Sequence, residues 1–305
     1  MARSLPGCAV PAFPPGAHIF ASHGGLMESR RVNVDGSGLW VGEQAGEGPA
    51  IVLMHGFPDN HHLYDRVLPY LGGKRVVTFD FLGWGDSDKP SNHAYTASAQ
   101  VEELDRVISA LGLERVILVA HDASGPPAID WAIAHPDRVE RLVLLNTYYS
   151  SMRSLRPPEA IWLFSTPGVR RVARWFSRRF GNWLFRRMYF WQVGRFFRDK
   201  EVRDEYLPVL YEQFARSQSA QPAFFGLNED LRPMLRERAT HVGDLRRFNR
   251  PVRVVFGGAD PYLNANVARD LAGLFPKAEL ELVPGARHFV QMDEPQRVAQ
   301  EITHH

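Results

Sequence analysis

Asp122, Asp260 and His288 are the residues of this chain whose types and settings could carry covalent chemistry. Asp122 lies in Arg115-Val116-Ile117-Leu118-Val119-Ala120-His121-Asp122-Ala123-Ser124-Gly125, where an apolar β run stops abruptly. Ala120, Ala123, Ser124 and Gly125 carry almost no side chain, and a helix-like segment follows through Ile129 to Ala134. A strand turning sharply into a helix needs small neighbours, because the turn residue is strained and its side chain stands out alone. A carboxylate in that place can attack a saturated carbon and form an alkyl ester, which water then cleaves at the Asp carbonyl. A serine attacking the same carbon would leave an ether, which water does not readily remove. The competing reading of Asp122 is a helix-capping carboxylate. Ser124 fits the nucleophile position less well, since a Gly-x-Ser-x-Gly turn would need small residues where Asp122 and Pro126 stand.

His288 follows a strand-like run and the turn Pro284-Gly285, and of the 12 histidines only it stands between a last strand and a last helix. A neutral imidazole there can activate the water that cleaves the ester. Asp260 follows Val254-Val255-Phe256 and the turn Gly257-Gly258, where it can accept a hydrogen bond from the imidazole and stabilise its charge. An Asp before Pro261 is also a common turn residue. Other candidate histidines have local settings: His121 beside the elbow, His61 and His62 at a helix start, His304 and His305 at the terminus.

These residues need a frame that brings strand ends together. Ala50–Met54, Val76–Phe79, Val116–Ala120, Leu142–Leu145, Val252–Phe256 and Leu280–Val283 are short aliphatic runs suited to strands buried on both faces of a parallel sheet. Arg31–Val34 and Leu39–Val41 flank Asp35-Gly36-Ser37-Gly38, a hairpin signal. Helical patterns cover His62–Leu71, Ala97–Leu111, Pro127–Ala134, Val267–Leu274 and Gln296–Ile302. The expectation is an α/β fold: a mostly parallel, doubly wound sheet with an antiparallel edge. The alternation breaks between Leu145 and Val252, where Val169, Val172, Phe176, Phe180 and Leu184 follow helical spacing. That stretch reads as a helical lid over the carboxyl ends of the strands, where open α/β sheets bind ligands. The expected organisation is an N-terminal extension over residues 1–27, a core over 28–146 and 250–305, and a helical cap over 147–249.

With 45% hydrophobic and 11% aromatic residues, the chain can fill a sizeable core, which excludes wholesale disorder. The single cysteine, Cys8, allows no internal disulfide and fits a reducing compartment. The start, with Pro6, Pro11, Pro14 and Pro15, lacks an apolar stretch of secretory length, and no run approaches transmembrane length. A cytoplasmic protein is expected. A net charge of +2 does not suggest a nucleic-acid partner, and no metal cluster or phosphate loop implies a cofactor.

The order of these pieces resembles the α/β-hydrolase fold family over nearly everything after Glu28. The motifs are similar to its haloalkane dehalogenase and epoxide hydrolase branch: His55-Gly56-Phe57-Pro58, Asp80-Phe81-Leu82-Gly83-Trp84-Gly85-Asp86-Ser87-Asp88-Lys89-Pro90, His121-Asp122-Ala123-Ser124-Gly125, Gly257-Gly258-Ala259-Asp260-Pro261 and Gly285-Ala286-Arg287-His288-Phe289. The resemblance implies Asp122 as nucleophile, Asp260 as orienting acid, His288 as base, and the backbone N–H groups of Phe57 and Ala123 as an oxyanion hole. The acid of this family can instead follow the strand after the elbow, but Asn146 stands there. Haloalkane dehalogenases hold the halide with donors where this chain has Ala123 and Phe57, neither with a donating side chain. Cap tryptophans (Trp162, Trp175, Trp183, Trp191) are the compensating candidates. Epoxide hydrolases commonly share Phe57 and His121 and use lid tyrosines as acids, for which Tyr189, Tyr206 and Tyr211 are available; Phe224-Phe225 occupies the region where one such Tyr is expected. Fluoroacetate dehalogenases place an Arg soon after the nucleophile, and residues 123–128 contain none. The expected pocket comprises Trp183, Tyr189, Trp191 and Tyr211. The implied activity is epoxide hydrolysis of a small hydrophobic, uncharged substrate by water. Haloalkane dehalogenation, acyl hydrolysis and a non-catalytic lipid- or membrane-binding role are the alternatives. The cap arginines Arg170, Arg171, Arg174, Arg178, Arg179, Arg186 and Arg187 alternate with Trp and Phe. They form either a solvated basic face over an aromatic pocket lining or a weak membrane-surface contact.

Overall fold

The computed structural model of the chain describes residues 18–22, 25–180, 183–216 and 218–304. The proline-rich start with Cys8, the side chains of residues 176–180 and His305 lie outside the described residues. One sheet is formed by β1 (His18–Ser22), β2 (Gly25–Val34), β3 (Ser37–Gln44), β4 (Glu47–Met54), β5 (Lys74–Phe79), β6 (Val116–Asp122), β7 (Val139–Thr147), β8 (Val252–Gly257) and β9 (Ala278–Val283). Their order is β1-β2-β3-β5-β4-β6-β7-β8-β9. β1, β2 and β3 pair antiparallel, as do β3 and β5, and every later pair is parallel. The expected fold class is borne out. The extension expected over residues 1–27 is shorter, because strand pairing already begins with His18 opposite Ser29.

The local reasons are plain. Asp35 and Gly36 both take positive φ (49° and 88°), the turn whose twist matches a tight hairpin. Ile51–Met54, Leu118–Asp122 and Leu142–Thr147 are buried throughout, as parallel strands covered on both faces must be. β9 is the exception, because at the sheet edge only Val283 is fully buried. Helices α1 (Ala97–Ala110), α2 (Gly125–Ala134), α9 (Ala265–Ala272), α10 (Val290–Asp293) and α11 (Pro295–Thr303) belong to this core, with α3 to α8 in the insertion. The helix expected over His62–Leu71 is instead two 3-10 turns, His61–Tyr64 and Leu68–Leu71. Pro69 lacks the N–H that a continuous helix would need there.

Between β7 and β8 the described residues contain no strand. They form α3 (Glu159–Phe164), α4 (Pro167–Phe180), α5 (Trp183–Val193), α6 (Lys200–Ala215), α7 (Gln221–Ala239) and α8 (Val242–Leu245). This insertion docks on the core through rings: Phe224 stacks on Phe57 at 5.1 Å between centroids, and Phe214 meets Trp84 edge-on at 6.1 Å. Val172, one of the positions expected on its apolar stripe, faces solvent instead. No helix among the described residues is long and apolar enough to cross a membrane.

Candidate active site

The loops after β4, β6, β8 and β9 converge at the carboxyl edge of the sheet. β6 ends on Asp122 at φ +49°, and α2 begins three residues later. That conformation costs a non-glycine residue roughly 1 kcal/mol or more, although Asp tolerates it better than most. The surroundings hold it there. A Cβ on Gly125 would run into the Thr147 side chain, and one on Gly56 would lie 2.7 Å from His121 Nδ1 and 2.8 Å from Asp122 Cβ. Thr147 Oγ1 donates to the Asp122 carbonyl. Ser124 Oγ lies between the carbonyls of Met54 (3.2 Å) and His121 (2.8 Å) and accepts the His121 N–H at 2.9 Å, so its hydroxyl braces the turn.

Asp122 Oδ2 accepts the Phe57 N–H at 3.1 Å, and the carboxylate also takes the Ala123 N–H. Both backbone donors expected from the sequence therefore face this carboxyl. Asp122 Oδ1 lies 4.0 Å from His288 Nε2, and His288 Nδ1 meets Asp260 Oδ2 at 2.8 Å. Asp260 is fixed in turn: its Oδ1 accepts the N–H groups of Tyr262 (2.8 Å) and Leu263 (3.2 Å). Asn146 Nδ2 donates to Asp260 Oδ2 at 2.8 Å while its Oδ1 accepts the Gly257 N–H at 2.8 Å. Asn146 is thus a neutral clamp for the acid. His121 packs against His288, its Nε2 lying 3.1 Å from the His288 carbonyl, and His61 pairs with Asp80 at 2.8 Å.

The charges follow from this geometry. Burial opposes the His288 cation, but the charge and hydrogen bond of Asp260, then Asp122 and Asp59, outweigh it and raise the pKa to about 9. Burial raises Asp122, offset in part by His288 and the two N–H donors. Asp260 is lowered: burial pushes it up, but His288's charge and hydrogen bond, Tyr262 and Asn146 outweigh that. The ring expected to be neutral is accordingly charged while Asp122 is ionised. Esterifying Asp122 would remove one of the charges that keep it so, which eases loss of the proton at the moment a base is needed.

Asp59, in the same loop as Phe57, escaped the sequence reading. It is fully buried, both carboxyl oxygens lack a hydrogen-bond partner among the described residues, and His121 Nδ1 is 3.9 Å away. Burial first, then the charge of Asp122, raise it to about 8 despite His288. In the unfolded chain the carboxyl ionises near 3.8, so from about pH 4 to pH 8 the folded state holds a proton that the unfolded state has released. Stability therefore falls as pH rises through that window, by on the order of 1 kcal/mol per pH unit from this group. Asp59→Asn is expected to gain stability over the parent progressively from pH 5 to pH 8, read by chemical denaturation across pH; a gain independent of pH would contradict the assignment.

A cavity with about 40 Å³ of open space lies beside Asp122, walled by Phe57, Ala123, Tyr148, Ile161, Asn228 and Met234 among others. The expected pocket residues do not line it. Trp183 and Trp191 are 58% and 54% exposed. Tyr189 is buried but donates to the Pro58 carbonyl at 3.2 Å, and Tyr211 packs on Tyr189 at 5.2 Å. Helical spacing identified an aromatic helical insertion but not which of its faces turns inward. Tyr148, one residue beyond the end of β7, is the phenol among the cavity's lining residues. Its position at the same sheet edge as the elbow was the signal that could have found it. Burial, then the charge of Asp122, raise its pKa well above the usual phenol value.

Known proteins resemble this chain at the level of family and fold. The model of the alpha/beta hydrolase fold family matches residues 49–295. Haloalkane dehalogenase 2 of Mycobacterium bovis is 28% identical over 261 residues, 83% of this chain and 86% of the relative. Epoxide hydrolase 3 of Siraitia grosvenorii is 33% identical over 126 residues, 40% of each chain. The crystal structure of an alpha/beta hydrolase fold protein from Burkholderia ambifaria superposes with a TM-score of 0.74 at 23% identity, covering 95% of this chain and 100% of that one.

Proposed function

The chain belongs to the alpha/beta hydrolase fold family, and we propose that it is an Asp-nucleophile member whose reaction is the hydrolysis of epoxides to diols. The observation that carries this reading is a carboxylate, where a hydroxyl would serve acyl transfer, at a positive-φ elbow 4.0 Å from an imidazole backed by a second carboxylate. Asp122 Oδ1 attacks an epoxide carbon, the ring C–O bond breaks, and the freed oxygen takes a proton from Tyr148. The product is a hydroxyalkyl ester on Asp122, its carbonyl oxygen held by the Phe57 and Ala123 N–H groups. With Asp122 esterified, the His288 proton passes through solvent to the Tyr148 oxygen; water then adds to the ester carbonyl carbon as the neutral His288 Nε2 takes its proton, and Asp260 stabilises the imidazolium. Collapse of the tetrahedral intermediate breaks the bond between that carbon and the alkyl oxygen. The diol leaves with the remaining proton of the added water on its former ester oxygen, the water oxygen stays in Asp122, and His288 is back in its charged state.

Tyr148 favours an epoxide over a halide, since an opening epoxide needs a proton and a departing halide does not. A raised pKa keeps this phenol protonated and able to donate. The lining residues include Gln100, Asn228 and Asp230 but no Lys or Arg, which suits an uncharged substrate. Removing the phenol proton in Tyr148→Phe should lower kcat on epoxides by roughly 10²–10⁴-fold. Diol formation measured by chromatography checks this, with unchanged turnover on epoxides as the contrary outcome. Haloalkane dehalogenation is the second reading, favoured by the dehalogenase relative that covers 83% of the chain. The same variant should leave halide release nearly intact if that reading holds.

A further inference from the structure

Between Glu159 and Asp199 the chain carries nine arginines, four tryptophans and seven phenylalanines, with no carboxylate and no lysine. That is a quarter of all its cations, and it leaves 27 Lys and Arg against 34 Asp and Glu elsewhere. The positive charge of the molecule is therefore concentrated on α4, α5 and the turn after them, beside α3, which carries no cation. The same helices carry nearly all of the exposed large apolar side chains of the described residues: Trp162, Leu163, Val172, Trp175, Trp183, Leu184 and Trp191, with only Tyr70 lying elsewhere.

The two features interleave. On α5, Trp183, Arg187 and Trp191 recur at intervals of four and form one exposed stripe, while Phe185 and Tyr189 turn inward. On α4, Arg171, Val172 and Trp175 are exposed. Arg195 lies over the Trp191 ring at 5.1 Å and Arg186 over Phe190 at 4.4 Å. Arg170 and Arg174 are engaged by Glu229, and Arg198 by Glu294. Among the described residues, Arg171, Arg186, Arg187 and Arg195 have no ion-pair partner.

Monomeric surfaces rarely expose apolar side chains at this density without a partner. An acidic protein surface would match the arginines but would need separate apolar recesses for side chains on three helices. The boundary between lipid headgroups and acyl chains accepts both in any arrangement, with indoles at headgroup level and guanidinium groups on lipid phosphates. α3 also ties this face to the cavity, since Ile161 walls the space beside Asp122 while its neighbours Trp162 and Leu163 are exposed. We propose that α3, α4 and α5 form a docking face for an anionic lipid bilayer, with Trp162, Trp175, Trp183 and Trp191 entering the headgroup boundary and the unpaired arginines facing lipid phosphate. This holds whatever chemistry Asp122 performs.

The full chain is sedimented with vesicles of phosphatidylcholine alone and of phosphatidylcholine mixed with phosphatidylglycerol. Binding to the mixed vesicles only is expected, with tryptophan emission shifted to the blue and binding weakened by added salt. In Arg171→Gln with Arg187→Gln, each lost cation should lower binding about fivefold. Trp183→Ser with Trp191→Ser should lower it roughly tenfold or more, and both variants should melt with the parent. Equal binding to both vesicle types, binding to neither, or parent-like binding by both pairs of variants overturns the proposal. Displacement from vesicles by single-stranded RNA at matched phosphate concentration also overturns it, because the face would then read polyanions rather than a bilayer.

Discussion

In the His288→Gln protein an epoxide is expected to stay attached at Asp122, with the intact mass rising by the full mass of the epoxide. The first step needs only the Asp122 carboxylate, the Phe57 and Ala123 N–H donors and a proton for the ring oxygen, none of which the substitution removes. The second step needs a base for water, and His288 Nε2, 4.0 Å from Asp122 Oδ1, is the group in place for it. Losing a positioned general base costs roughly 10²–10⁴-fold, so steady-state diol production collapses while the ester accumulates within the first turnover. The adduct also separates the two leaving-group readings. An epoxide adds its whole mass, whereas a haloalkane adds its mass less that of the hydrogen halide expelled. Digestion and tandem mass spectrometry should place the adduct on the peptide containing Asp122. A mass unchanged after exposure to both substrate classes would remove the two-step mechanism.

Asp122→Ala should abolish turnover on every substrate that the parent accepts. Removing a nucleophile that works together with its base and orienting acid costs about 10⁴–10⁶-fold in kcat in comparable triads. The neighbouring Ser124 does not take over, because its hydroxyl is engaged by the Met54 and His121 carbonyls. Asp122→Gly gives the same loss with a further signature. Glycine takes the +49° φ without strain, and burial no longer has a carboxylate to oppose, so the inactive variant should melt above the parent. Residual turnover above a hundredth of the parent rate in either variant, measured with freshly purified protein, would move the nucleophile elsewhere.

The residues proposed for catalysis were legible because each sits where local sequence dictates backbone. Asp122 is marked by the side-chain-poor positions that its turn demands, and Asp260 and His288 by the Gly-Gly and Pro-Gly turns that end β8 and β9. The parallel core was legible for a related reason: stretches buried on both faces of a sheet favour aliphatic side chains, and Ile51–Met54 of β4, Leu118–Ala120 of β6, Leu142–Leu145 of β7 and Val254–Val255 of β8 are such runs. What stayed hidden depends on contacts between distant segments. Trp183 and Trp191 share α5 with Phe185 and Tyr189, and only docking on Phe214 and the loop at Pro58 decides which pair is covered. Asp59 is an ordinary turn residue until His121, Tyr189 and His288 close around it. Pro69 divides an apolar pattern that otherwise reads as one helix, and β1 is too short to stand out beside its proline-rich flank.

The open space beside Asp122, about 40 Å³, sets a rhythm for catalysis. It admits a water or two, but ligand sites generally span several hundred Å³. A substrate of even six or seven heavy atoms therefore enters only when α3 and α7 draw back from the elbow, and its product leaves by the same movement. Lid movements of this kind occupy microseconds to milliseconds. On the proposed chemistry, turnover then has a ceiling set by how often these helices open, and beyond a certain reactivity a more strained epoxide is expected to be consumed no faster.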